Sequence, residues 1–297
     1  MHPKISIITP TFNAEKTLRY AIESVRSQNY PNLEHIIVDG QSADGTLEIC
    51  AEYPHLKVHS DKDQGQSDAM NIGFDMSSGE IIGYLNADDI YLPGCFDRIL
   101  PHFKIGADVV VGRILYLTDD GRCGINDPKT TMREMLRHWE PDAFCLNPVG
   151  YFYRREVQAA VGGFNLANHF SMDLEFLLAC SAKFQLTKVS SHAPLGIFFS
   201  YTDTKTAQQA SKDNSLWTRE NFSYLQQYVS KLPDKEQKQY NVARQSGYRI
   251  RRRGQIIDQI RAQQAFRASA KIDFLREAKI LSLRILNRLE RRFLAKY

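Results

Sequence analysis

The chain has 297 residues, enough for one large domain or two small ones, with the 43% hydrophobic and 24% charged content of a soluble globular protein. Its net charge of +4 is unevenly spread: from Arg244 to Tyr297 there are 15 Lys and Arg against 4 Asp and Glu, which leaves the first 243 residues at about −7. No apolar run approaches the roughly 18 residues of a membrane span or the flanked core of a signal peptide, and Cys50, Cys95, Cys123, Cys145 and Cys180 form no C-x-x-C pair, which favours reduced thiols in the cytoplasm.

Strand and helix signals alternate through the first hundred residues. KISIITPTF (4–12) is rich in β-branched residues and predicts a strand that breaks at Pro10. AEKTLRYAIESVRSQ (14–28) carries Leu18, Ala21, Ile22 and Val25 at helical spacing. LEHIIVDG (33–40) predicts a second strand, LEICAEY a helix, KVHSD (57–61) a third strand, and SDAMNIGFDMSS (67–78) a helix closed near Gly79. EIIGYLNADD (80–89) predicts the fourth strand. Strands and helices alternating at this interval imply a mainly parallel sheet covered on both faces.

Past residue 105 the pattern changes. Residues 107–123 read as strand and turn, 130–139 as a helix, and 151–164 as a strand running into a helix and a Gly-Gly turn. SMDLEFLLACSAKF (171–184) predicts a helix with Asp173 and Glu175 at its start and Leu174, Leu177 and Leu178 buried. APLGIFFSY (193–201) is a strand, 202–215 a polar loop, and the rest helical with a break around KLPDK (231–235).

In open parallel sheets ligands bind beyond the carboxyl ends of the strands. Those ends carry Pro10-Thr11, Asp39, Asp61 and Asp88-Asp89. A single acid there is an ordinary turn or cap residue. Acids ending three of four parallel strands crowd negative charge onto one edge, which calls for a cation or a ligand.

The stretches SIITPTFNAEKTLRYAIESVRSQNYPNLEHIIVDGQSADGT, DQGQSDAMNIGFDMSSGEIIGYLNADD and GGFN…SMDLEFLL together resemble the family-2 inverting glycosyltransferases of the GT-A fold. The likeness runs from residue 4 to about 205. It implies an α/β, Rossmann-like mainly parallel sheet flanked by helices, with a C-terminal helical extension. Residues 1–210 would form the glycosyltransferase domain, 1–105 its nucleotide-binding half and 106–210 its acceptor half, and 211–297 the extension. It further implies a nucleotide-diphospho-sugar donor, UDP-linked, a glycan or lipid-linked acceptor in surface polysaccharide synthesis, and Mn²⁺ or Mg²⁺ as cofactor. A catalytically inactive domain serving as a scaffold is the rival reading.

The resemblance also implies site residues. Asn86-Ala87-Asp88 occupies the family's DxD position, with Asn in place of the first acid, so Asp88 is the expected metal ligand. Asp89 is either a further ligand or the N-cap of the helix after Pro93. Pro10, Thr11, Asn13 and Glu15 would border base and ribose, with Asp39 accepting from the base. Asp68 and Gln66 would meet the donor sugar, because Met70 stands where an Arg able to reach the diphosphate is usual. Asp173 matches the catalytic carboxylate, with Met172 in place of the preceding Glu. At an ordinary pKa of about 4 it is ionised and able to take the acceptor proton. Glu175 is expected to be structural. Tyr201 stands where a His is often found, Lys205 falls in a lid-like loop, and the Q-x-x-R-W motif of processive relatives is absent.

Residues 271–297 place Phe274, Ala278, Leu281, Ile285, Leu289 and Phe293 on one helical stripe among Lys and Arg. Such a helix either lies on an anionic membrane, here the inner face of the cell membrane, or packs on the acidic body or a partner helix, which would allow oligomers. Nucleic acid is the weaker partner, since the tail lacks interleaved aromatics of the stacking kind. A nucleotidyltransferase is disfavoured by the missing G-x-G-T-R loop, and a dinucleotide oxidoreductase by the missing G-x-G-x-x-G.

Overall fold

The computed structural model describes residues 2–119, 121–138, 140, 142–201 and 224–244. Strand β1 (Ile5–Thr11) is buried along its whole length, polar Ser6, Thr9 and Thr11 included. That is the signature of a central parallel strand with both faces covered. Helix α1 (Leu18–Arg26) covers it with Leu18, Ala21, Ile22 and Val25, the stripe expected from their spacing. Strand β2 (Leu33–Asp39), α2 (Thr46–Ala51), β3 (Leu56–Ser60), α3 (Gln66–Met76) and β4 (Ile81–Tyr84) complete the alternating half.

After β5 (Ile90–Tyr91) and α4 (Cys95–Lys104) come β6 (Val109–Val111), the hairpin β7 (Ile114–Thr118) and β8 (Cys123–Asn126), and the single-turn α5 (Met132–Met135). A 3-10 turn at Pro148–Gly150 leads into β9 (Tyr151–Arg154), followed by α6 (Arg155–Val161), α7 (Met172–Ser181), β10 (Leu186–Lys188) and β11 (Gly196–Ser200). The main sheet has the order β10-β6-β9-β4-β1-β2-β3. Strand β9 is antiparallel to both its neighbours, and every other pairing in this sheet is parallel. The carboxyl ends of six strands and the start of β9 therefore share one edge. A smaller sheet, β5-β11-β7-β8, stands beside that edge. Its pairing is extended by Leu195 N–H donating to the Arg113 carbonyl at 2.7 Å and Leu92 N–H to the Leu195 carbonyl at 2.8 Å, which tie the entry to β11 to residues flanking β7 and β5.

The core runs from the β1, β4 and β9 strands to both helical layers. Phe152 on one face of β9 packs edge-on against Phe96 of α4, while Tyr151 and Tyr153 on the other meet Phe176 of α7. Each such ring or branched aliphatic side chain, fully buried, stabilises the fold by about 1.5–3 kcal/mol before entropy is counted. Gly83 lets β9 come this close, because a Cβ there would lie 2.6 Å from the Phe152 ring. Residues 224–229 and 234–244 are helical, and Tyr224, Leu225, Tyr228, Val229 and Tyr240 are buried in this same core. This first part of the expected extension thus packs onto the body, with Arg133 paired to Glu236 at 3.0 Å.

Several expectations change. The fourth strand ends at Tyr84 rather than Asp89, because residues 85–89 turn away to start the second sheet. Asp89 does not cap the following helix: α4 starts at Cys95 behind Gly94, whose φ of 71° suits glycine. The helix expected over 130–139 is one turn long, closed by a Thr131–Glu134 capping box. The three-residue strand β10 carries no alternation long enough to predict. The polar loop 202–215, Lys205 and the amphipathic stripe of 271–297 lie outside the described residues.

Candidate active site

Five segments meet at the shared edge: the loops after β1 and β2, the first turn of α3, the 86–89 turn, and the start of α7 beside β9. The first two are laced together. Asn13, at φ 49°, uses its Oδ1 to accept from Ala43 N–H at 2.9 Å, and Ser42 Oγ accepts from Asn13 N–H at 2.8 Å. Glu15 Oε2 accepts from Gly45 N–H at 3.0 Å, at the start of α2. Asp39 is fully buried and accepts from Ser42 N–H at 3.0 Å, from Ser60 Oγ at 2.7 Å and from the Ser42 hydroxyl. Pro10 and Thr11 sit opposite Val38 and Asp39, and the buried Thr11 Oγ1 has no hydrogen-bond partner. Asp61 is exposed and turns to its own chain, accepting from Lys62 N–H. The expected crowding of acids is thus relieved at Asp39 and Asp61 by neutral donors and water.

The first turn of α3 is the hub. Gly65 precedes it at φ 112°, a conformation that strains any side chain. Gln66 Nε2 donates to Asn86 Oδ1 at 2.8 Å, and Ser67 Oγ donates to Met172 Sδ at 3.0 Å. One helical turn therefore touches both the 86–89 turn and the start of α7. Asp68 accepts from Gln64 N–H at 2.9 Å and closes the loop entering the helix.

The adjacent acids differ sharply. Asp89 is fully buried and accepts from Asn147 Nδ2 at 2.8 Å, Asn86 Nδ2 at 3.0 Å and Phe199 N–H at 2.9 Å. Burial, then the neighbouring Asp88 charge, push its carboxyl well above the ordinary range against those three donors. Asp88 is half-buried, and no other described residue donates to its carboxylate; burial raises its pKa as well. Ala87, just before the pair, is buried with Leu18 and Ile37 in the smaller core cluster, which fixes the turn.

This donor set bears on a divalent cation. No group of three His, Cys, Asp or Glu converges among the described residues. What exists is one open carboxylate, Asp88, held by a braced turn beside a second acid. Hard-oxygen cations such as Mn²⁺ and Mg²⁺ accept one or two carboxylates and take their remaining ligands from phosphate and water. The residues fit a cation of that kind carried in with a diphosphate.

Asp173 opens α7, and its Oδ1 accepts from Tyr151 Oη at 2.7 Å. Burial raises its pKa from the ordinary carboxylate value to about 6, while the Tyr151 hydrogen bond pulls in the other direction. The expected value near 4 is therefore corrected upward. The physical reason is the apolar wall of Tyr151, Phe176 and Met172 around the helix start. Glu175 points away and braces a loop, accepting from Asn168 Nδ2 at 2.8 Å and from Asn165. His192 is exposed beside Arg113, at the far end of the smaller sheet. Sequence reasoning missed Tyr151, Asn147 and Phe12. The first two reach the site by pairings across dozens of residues, whereas Phe12, 63% exposed at the end of β1, is an uncovered aromatic within a quoted motif.

The model of the family described as "Glycosyl transferase family 2" matches residues 6–161. The chain is 30% identical over 190 residues to a "PGL/p-HBAD biosynthesis glycosyltransferase" of Mycobacterium bovis, covering 60% of this chain and 70% of that one. It is 32% identical over 119 residues to the "GalNAc(5)-diNAcBac-PP-undecaprenol beta-1,3-glucosyltransferase" of Campylobacter jejuni, 38% of either chain. Among solved structures, S. aureus TarS 1-349 in complex with UDP-GlcNAc superposes with a TM-score of 0.63 at 19% identity, over 80% of this chain and 70% of that one. The mannosyltransferase PcManGT from Pyrobaculum calidifontis, in complex with GDP-Man and Mn2+, gives 0.55 at 15% identity over 99% and 83%. Those two likenesses bear on the fold, which is GT-A. The family match spans more than half of the chain, and this chain belongs to glycosyl transferase family 2.

Proposed function

We propose that this glycosyltransferase is metal-dependent, inverting and non-processive, taking a hexosyl group from a UDP-linked donor to a glycan or lipid-linked acceptor. The observation that carries this reading is the first turn of α3, whose Gln66 and Ser67 touch the turn of Asp88 and the helix of Asp173 at 2.8 and 3.0 Å. One helical turn thereby links the loop of the proposed cation-binding carboxylate to the helix of the proposed proton acceptor. The ligands named for the two structural neighbours, UDP-GlcNAc and GDP-Man with Mn2+, support the donor class.

In this mechanism Pro10, Thr11 and Asn13 line the nucleotide pocket, the free Thr11 hydroxyl turns to the ligand, and Phe12 lies against the base. Asp39 and Glu15 hold the loops that frame it, with Asp39 spending a remaining lone pair on the base. A bound Mn²⁺ or Mg²⁺ would supply charge neutralisation for the departing diphosphate, held by Asp88 with Asn86 and Asp89 steadying the turn. Gln66 and Asp68 face the donor sugar. Asp173 takes the proton of the acceptor hydroxyl as that oxygen attacks the anomeric carbon from the face opposite the diphosphate, so the configuration inverts. A carboxylate with a pKa of about 6 is a stronger base than an ordinary one, yet remains ionised in about nine molecules of ten at pH 7. The acidic body and basic tail fit a protein that works at the inner membrane surface, the tail meeting lipid or a second copy.

The test is calorimetric titration of the full chain with UDP, with and without Mn²⁺. Mn²⁺ should tighten binding, and Asp88→Ala should remove at least a tenfold share of the affinity. Equal binding without metal and in the variant would sink the site.

A further inference from the structure

The strongest candidate away from the expected site residues is a buried hydroxyl. Tyr151 is fully buried at the first position of β9, and its Oη donates to Asp173 Oδ1 at 2.7 Å. Its ring is held by Phe176, three residues further along α7, with centroids 6.3 Å apart and planes 29° apart. Residues three apart lie on one face of a helix, so Asp173 and Phe176 address the same tyrosine. One fixes the ring and the other receives its proton. The register opposite Val111 anchors the backbone from the other side.

We propose that Tyr151 is a positioning residue for the transfer reaction: it fixes the Asp173 carboxylate in one rotamer, occupies Oδ1, and leaves Oδ2 to face the acceptor hydroxyl. This rests on the reading of Asp173 as the base. Three further facts support it. A hydrogen bond to the ionised form of a carboxyl favours that form, so the phenol opposes the burial that raises Asp173. Burial and the Asp173 charge push the phenol well above its ordinary range, so its proton stays in place throughout. No Lys or Arg among the described residues forms an ion pair with Asp173, so neutral Tyr151 is its side-chain partner. A cation would make the carboxylate a poor base, whereas a phenol orients it and leaves its basicity largely intact.

The experiment is Tyr151→Phe in the full chain, which keeps the ring and its packing on Phe176. Two readouts are taken. The first is the Asp173 carboxyl titration by ¹³C NMR, assigned by its absence in Asp173→Asn. Wild type should titrate near 6 and the variant at least half a pH unit higher. The second is slow hydrolysis of UDP-glucose or UDP-GlcNAc, whichever turns over, as a function of pH. The acid limb of kcat should move up with the carboxyl, giving a loss of at least about 1.5-fold at pH 6.5 that narrows by pH 8.5, with donor KM within twofold. An unmoved Asp173 titration overturns the proposal, as does a kcat unchanged across the whole pH range. If Asp173→Asn turns over normally while the NMR shift appears, the base assignment has failed and the Tyr151–Asp173 coupling stands.

Discussion

The two ends of strand β2 carry acids in opposite circumstances. At the start, Glu34 is 6% exposed and pairs with Lys57 at 2.6 Å and Lys4 at 2.9 Å, and it also accepts from Ser6 and Ser78. Burial alone would raise its pKa, but the Lys57 ammonium, the Ser6 hydroxyl, the Ser78 N–H and Lys4 hold it well below the usual carboxylate range. At the other edge of the sheet, Asp39, Asp88, Asp89 and Asp173 have no Lys or Arg partner among the described residues. Three of them are pushed upward by burial. Glu34 has its counter-charge built into the fold, whereas the four acids of the other edge have none among the described residues, and in the proposed mechanism the positive charge comes with the ligand.

The sharpest way to break this contrast is to neutralise one acid from each edge. Asp173→Asn should lower transfer by roughly 10²–10⁴-fold while nucleotide binding by calorimetry stays within about twofold. Unchanged turnover would move the base elsewhere. Glu34→Gln should do the reverse, destabilising the fold by about 2 kcal/mol in urea melts with activity per folded molecule unchanged. The sign of its pH dependence follows from a folded pKa below the unfolded one. Its contribution is complete above about pH 5 and is lost as pH falls through the carboxylate range, so the gap between Glu34→Gln and wild type should close in acid.

The smallest effect has the opposite sign. With a folded pKa of about 6, Asp173 binds a proton in the folded chain that it has lost in the unfolded one. Stability therefore falls as pH rises from about 4 to 6 and stays lowered above. Asp173→Asn should melt about 2–4 °C above wild type at pH 7.5, with the gain gone below pH 4. A variant less stable than wild type at pH 7.5 would show that the carboxylate is structural, like Glu34.

Much of this was legible in the chain because it is local. The β-branched run of β1, the α1 stripe and the order of strand-end acids need only neighbours in sequence, and they gave the sheet and its working edge. What stayed hidden is non-local. Asp89 looked like a cap because Pro93 follows it, yet its partners are Asn147 and the Phe199 backbone, 58 and 110 residues away. The burial that raises the Asp173 pKa is opposed by the Tyr151 hydroxyl, which approaches only because β9 runs antiparallel into the sheet. Strand β10, three residues long, is a strand only because Val109–Val111 waits for it.

The packing of residues 224–244 sets where the chain can be shortened. Tyr224 Oη donates to Ser171 Oγ at 2.8 Å, one residue before α7 begins, and Leu225, Tyr228, Val229 and Tyr240 are sealed into the core behind it. A cut at residue 210, the boundary that the resemblance implies, would strip these side chains away and uncover an apolar face beside the start of α7. A cut after residue 244 removes 14 of the 38 Lys and Arg and keeps every described residue, which makes it the place to separate the duties of head and tail.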